Sequence, residues 1–145
     1  MSITYIPLAL RRSVRERAGM CCEYCRIHED ETEFECEVDH IISEKHSGRT
    51  EFENLALSCF FCNRSKGSDI GSVLSGDQNT FIRFFNPRID DWSDHFTVDI
   101  NYRVLAISDI GLVTSRIFAF NAENRILERQ ALHQFSFHKE KRAQS

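Results

Sequence analysis

The chain has 145 residues, with 18 Lys+Arg against 22 Asp+Glu, 6 His, 6 Cys, 12 Phe and only 2 Pro, a length that suits one domain or a small module with an appendage. A hydrophobic fraction of 41% and a charged fraction of 28% exclude wholesale disorder, and no apolar run approaches the roughly 20 residues needed to span a bilayer. The net charge of −4 argues against a nucleic-acid partner only if the charges are evenly spread.

They are not. Residues 1–20 carry Arg11, Arg12, Arg15 and Arg17 against Glu16 alone, and the start reads as a mature, cytosolic terminus because its arginines follow its short apolar stretch. Residues 8–18 lack Gly and Pro and space Leu10, Val14 and Ala18 four apart, which predicts a helix ended by Gly19. Arg15 and Arg17 then sit at the favourable end of its dipole. Glu29, Asp30, Glu31, Glu33, Glu35 and Glu37 form an acidic stretch that reads as a solvated loop, leaving room for a basic face elsewhere.

Residues 36–42 and 55–59 predict short strands, with a turn at Ser47-Gly48-Arg49 and a polar loop from Glu51 to Asn54. A helix is expected from about Asn63 to Gly67 or Gly71. Residues 79–86 are aromatic-rich, and Pro87 breaks any helix there. Residues 96–100 and 103–107 suggest a strand pair turning at Asn101-Tyr102. Thr114 is a candidate helix cap, and Ile126, Leu127, Ala131, Leu132 and Phe135 mark the apolar face of a last helix, with a fraying tail after it. We expect residues 1–75 to form a core and residues 76–145 an extension packed on it.

Four cysteines fall into two pairs, Cys22-x-x-Cys25 and Cys59-x-x-Cys62. Two intervening residues let both thiolates of a pair reach one tetrahedral Zn²⁺, so the four predict a structural zinc clamp. A redox motif of the thioredoxin kind needs a single pair inside a βαβ pattern, which is absent. Cys21 and Cys36 are left over and read as small, buried or half-buried thiols.

Between the two pairs, the polar Asp39-His40 interrupts an apolar strand, Asn54 precedes the second strand, and Asn63 follows the last clamp cysteine. Adjacent strand residues face opposite ways, so Asp39 and His40 can serve separate roles. An antiparallel hairpin would bring Asn63 beside Asp39, with an imidazole alongside.

These residues resemble the HNH endonuclease family, whose core is a ββα-metal hairpin and helix. The resemblance spans about residues 10–70 and rests on Arg15, Cys22-x-x-Cys25, Val38-Asp39-His40-Ile41, Gly48, Asn54-Leu55, Cys59-x-x-Cys62-Asn63 and Lys66-Gly67. Asn63 stands where other members carry histidine, an H-N-N variant. A later stretch, Phe85-Asn86-Pro87-Arg88 through Trp92-Ser93-Asp94-His95-Phe96, is similar to an extension of some small bacterial members. The implied fold class is α+β: a ββα-metal core with a four-cysteine structural zinc, an N-terminal helix and a C-terminal α/β extension.

The resemblance implies His40 as general base, and Asp39 with Asn63 as ligands of one catalytic Mg²⁺ or Mn²⁺. It implies Asn54 as the residue that braces the loop and orients the histidine. Lys66 and Arg64 are candidate phosphate contacts, as is Arg15 among the family's matching positions. Zinc at Cys22, Cys25, Cys59 and Cys62 is then purely structural. Simpler roles compete: a helix N-cap for Asn63, a turn residue for Asn54, a solvated side chain for Lys66, and packed or exposed histidines at His95 and His46. The expected function is a metal-dependent, cytoplasmic DNA endonuclease with no membrane partner. A zinc-stabilised nucleic-acid-binding module without catalysis, a ribonuclease, and a zinc-dependent redox or interaction protein are the alternatives.

Overall fold

The computed structural model describes residues 4–132. Phe135 and the tail that follows it lie outside these residues. The N-terminal helix, α1 (Leu8–Arg17), keeps the predicted face: Val14 is fully buried, and Leu10 and Ala18 pack half-buried beside it. Gly19 follows at φ +63°, the left-handed conformation that closes a helix at little cost for glycine.

The first hairpin pairs β1 (Glu37–His40) with β2 (Leu55–Ser58), antiparallel, with Asp39 opposite Ala56 and His40 opposite Leu55. β2 is buried throughout, paired with β1 and packed against α1. The chain then enters α2 (Phe60–Lys66), which starts three residues before the expected point. Cys59 caps it: its sulfur accepts from the Cys62 N–H at 3.4 Å. Asn63 is therefore inside the helix, its own N–H bonded to Cys59 O at 2.9 Å, and the N-cap reading of Asn63 is corrected. A thiol is not among the usual capping side chains, so the sequence pattern favoured the asparagine.

Past Gly67 (φ +53°), where the sequence pattern predicts no strand, a second hairpin pairs β3 (Gly71–Leu74) with β4 (Asp77–Arg83). Phe84 and Phe85 follow it into the core. The expected strand pair is present as β5 (Phe96–Val98), shortened at its C-terminal end, and β6 (Val104–Ala106), shortened by one residue at each end, with Tyr102 at φ +63° in the turn. The next helix, α3 (Asp109–Ile117), is capped by Ser108, whose hydroxyl accepts from Gly111 N–H at 2.9 Å. Thr114 does not cap it. It is buried on α3, and its hydroxyl accepts from the Phe85 N–H at 2.8 Å. A last helix, α4, occupies residues 123–132.

One hydrophobic cluster runs through both halves, from Val14, Leu55 and Leu57 to Phe85, Phe96, Phe118 and Phe120. Edge-to-face ring pairs such as Phe84–Phe118 (5.1 Å) and Phe85–Phe96 (5.6 Å) hold the extension's side of it. Polar contacts lock the extension to the first cysteine turn: Trp92 Nε1 donates to Tyr24 O at 2.8 Å, and Arg88 pairs with the buried Glu23. Glu23 also clasps β2, accepting from Leu57 N–H at 2.8 Å while its own N–H donates to Leu57 O at 2.9 Å.

Candidate metal centre and active site

The two cysteine turns arrive at one point because each is a tight loop pinned to β2. Their four sulfurs all lie within 4.8 Å of one another, with Cys25 and Cys59 Sγ 3.6 Å apart. Tetrahedral Zn–S bonds of about 2.3 Å set S···S separations near ~3.8 Å, so the set fits zinc without rearrangement. It is also the one group of three or more His, Cys, Asp or Glu donors gathered this closely among the described residues. Burial opposes charge on Cys22, yet hydrogen bonds from the other three thiols outweigh it and hold Cys22 well below the usual thiol value. Hydrogen bonds to Cys22 and Cys59 push Cys25 up, and burial with the same sulfur neighbours pushes Cys62 up. A metal entering this site displaces protons from the latter pair.

Arg125, from α4, closes the site on its far side. It is 4% exposed, and its Nη2 donates to Cys62 Sγ at 3.2 Å and reaches Cys59 Sγ at 3.7 Å. Cys21 is half-buried and Cys36 buried; both stand apart from the clamp, and burial pushes the Cys36 thiol up to about 12.

β1 delivers Asp39 and His40 to different surroundings. His40 is 2% exposed and its Nε2 lies 2.8 Å from Thr50 Oγ1, which in turn lies 3.4 Å from Glu44 Oε1. The arrangement suits a chain in which Nε2–H donates to the threonine and the threonine hydroxyl donates to the glutamate. The other ring nitrogen, Nδ1, is buried and has no protein partner. With Nε2 protonated, that nitrogen carries a lone pair.

Asn54 braces the loop that holds Thr50. Its side-chain oxygen accepts from Ile42 N–H at 3.0 Å, and its amide donates to Ile42 O and Arg49 O, each at 2.9 Å. Gly48 lies inside this brace: a Cβ there would sit 1.7 Å from Ile42 O and 2.9 Å from Asn54 Nδ2. Close approach, rather than a left-handed backbone, demands glycine.

Asp39 opens onto a groove of about 590 Å³ that Asn63, Arg11, Arg12 and Arg15 also line. Asn63 Nδ2 donates to Glu37 Oε2 at 2.8 Å, which turns the amide oxygen away from that carboxylate. Glu37 stands two residues before Asp39, on the same face of β1. The oxygen donors Asp39 and Asn63, with an unpartnered imidazole nitrogen nearby in the chain, are of the hard type that Mg²⁺ and Mn²⁺ prefer.

The expected phosphate contacts divide three ways. Arg64 is exposed and stacks over Phe60 at 5.2 Å. Arg15 lines the groove, but its guanidinium is committed to Glu29 and to Cys36 O. Lys66 is 2% exposed; its ammonium donates to His40 O at 2.9 Å and lies 3.8 Å from Asp39 Oδ2. Burial lowers its pKa, and Asp39 partly offsets that. Its reading as a phosphate contact is corrected: Lys66 is an internal cation that ties α2 to β1. Arg11 and Arg12, on the opposite wall, are exposed and form no ion pair with a carboxylate among the described residues.

Residues 22–69 match the family model of the HNH endonuclease. That stretch, a third of the chain, is similar to the HNH endonuclease family. The match begins at the first clamp cysteine and ends just past α2, so α1 and everything from β3 onward lie outside it. No curated protein and no solved structure matches the chain. HNH domains are nucleases or nucleic-acid-binding modules, and the cysteine cluster suits zinc. Among the described residues, no helix is long and apolar enough to cross a membrane.

Sequence reasoning missed Thr50, Glu44, Glu37 and Arg125. Glu37 carried a signal, its two-residue offset from Asp39, but was absorbed into the acidic stretch. That stretch is less uniform than expected: Glu29 is drawn in to Arg15 and to the Cys36 N–H at 3.2 Å.

Proposed function

We propose that this protein is a metal-dependent endonuclease that hydrolyses DNA phosphodiester bonds. The carrying observation is His40: Nε2 is anchored through Thr50, and Nδ1 is left without a protein partner one residue from the groove-facing Asp39. A buried, unpartnered imidazole nitrogen costs free energy, and a base that must hold water or a proton explains it.

In this reading Nδ1 takes a proton from water, and the water oxygen attacks phosphorus in line with the 3′-oxygen. The P–O3′ bond breaks and the departing oxygen gains a proton, leaving 5′-phosphate and 3′-hydroxyl ends. Asp39 and the Asn63 amide oxygen would hold one Mg²⁺ or Mn²⁺. When bound, the ion supplies charge stabilisation for the phosphoryl oxygens and the leaving group. Asn54 fixes the loop that positions His40, and Arg11, Arg12 and Arg64 supply contacts to flanking phosphates. Zinc at the four cysteines holds the two ends of this segment together.

One contact favours a second reading, a nucleic-acid-binding module without cleavage. Lys66 already places a positive charge 3.8 Å from Asp39 Oδ2. Wild type and His40→Ala, incubated with supercoiled plasmid, single-stranded DNA and RNA in Mg²⁺, Mn²⁺ or EDTA, separate the possibilities. We expect metal-dependent DNA cleavage by wild type and none by the variant, at unchanged zinc content. Equal cleavage by both refutes the base; binding without cleavage by wild type supports the module; preferential cleavage of RNA makes it a ribonuclease.

A further inference from the structure

Arg125 lies 63 residues beyond Cys62, outside the HNH-like stretch, yet its guanidinium meets the clamp sulfurs. Nη1 donates to Phe118 O at 2.8 Å, and the group packs over the rings of Phe61 (5.7 Å) and Phe120 (5.6 Å). Among the described residues no carboxylate forms an ion pair with it. A guanidinium at 4% exposure without an ion-paired carboxylate is costly. Glu128, three residues on, attracts it only from beyond ion-pair distance, so further negative charge is needed at close range. The sulfurs of Cys62 and Cys59, at 3.2 and 3.7 Å, are the groups placed to provide it. Zn²⁺ with four thiolates carries a formal charge of −2, which a buried site tolerates poorly. One guanidinium halves that charge.

We propose that Arg125 is an integral residue of the zinc site: its N–H groups donate to the Cys62 and Cys59 thiolates and its charge retains the metal. The extension thereby completes the metal centre of the HNH-like stretch. This holds whether or not the chain cleaves nucleic acid. Donation to the sulfurs lowers their electron density and so slows their protonation, their alkylation and the departure of zinc.

The test measures zinc release to a coloured chelator from Arg125→Met and Arg125→Lys in the full chain. The Co²⁺-substituted forms add the sulfur-to-cobalt charge-transfer band. Leu132→Ala, which thins the packing of α4 without touching sulfur, is the control. Arg125→Met is expected to release zinc roughly 10–100-fold faster than wild type. Its band should move to lower energy, Arg125→Lys should fall between, and the control should keep the wild-type band. Release at the wild-type rate with an unshifted band overturns the proposal, as does equal acceleration by Leu132→Ala. Should Arg125→Met fail to fold, the lysine variant decides, because an unshifted band there also overturns it.

Discussion

Replacing Thr50 by valine tests whether the imidazole of His40 is held for chemistry. Valine nearly matches threonine in shape but cannot accept a hydrogen bond. Glu44 Oε1 lies 3.7 Å from Nε2, beyond bonding distance. A buried N–H left unpaired costs about 1–3 kcal/mol, which predicts a melting temperature lower by several degrees. The same lost bond is what favours the tautomer and ring orientation that leave Nδ1 unprotonated and without a protein partner. If about 1.4 kcal/mol of that preference is lost, the fraction of correctly set histidine falls roughly tenfold. Plasmid nicking at saturating DNA should therefore show kcat about tenfold lower with KM unchanged, since Thr50 does not line the groove. Thr50→Ser keeps the hydroxyl and should restore most of the rate. Wild-type kcat in the valine variant, or a serine variant equally slow, refutes the argument.

Gly48→Ala drives a methyl into Ile42 O and against the Asn54 amide, so thermal unfolding should show a loss of at least about 1–3 kcal/mol. A stability within experimental error of wild type would show that the brace yields easily. Arg11→Ala with Arg12→Ala, made on catalytically silent His40→Ala, should weaken duplex binding. The dependence of log K on log salt should flatten by about 1.8, because each lost phosphate contact removes ~0.9; an unchanged slope would place the DNA on another face. Asp90 is held below the ordinary carboxylate value by its hydrogen bonds from Arg83 at 2.7 and 2.9 Å. Its contribution to stability is complete above the unfolded-state pKa and is lost as pH falls through the lower folded-state value. Wild type should thus exceed Asp90→Asn in denaturant stability near neutrality, with the gap narrowing below about pH 4. A gap that widens with acid would show that Asp90 is not held low.

What could be read in the sequence was whatever depends on near neighbours. Two thiols separated by two residues, and a polar Asp39-His40 pair in an apolar strand, carry their chemistry in their spacing. The hairpin that unites them follows from alternation and turn residues. Thr50 and Glu44 escaped because a lone threonine in a polar loop has no pattern; it matters only once Asn54 has folded that loop onto Ile42. Arg125 escaped because its partners are more than sixty residues away. Thr114 and Ser108 are both acceptable caps by type, and the choice between them was made by Phe85, whose N–H needed an acceptor in the core. The β3–β4 hairpin was hidden by Asp77, Gln78 and Asn79, which are exposed in the structure and weak in strand propensity.

Cys25 and Cys59 stand 34 residues apart, and every proposed reacting group except Asn63 lies between them. A metal bound there works as a cross-link that closes this loop, removing freedom from the unfolded chain that grows only slowly with loop length. A chelator therefore has two ways to silence the protein. Stripping an ion from Asp39 and Asn63 would act at once and reverse on adding Mg²⁺. Unpinning the loop would act at the pace of zinc release, and Mg²⁺ would not repair it. An inactivation time course after EDTA addition should contain both phases, and only the fast one should belong to the reaction.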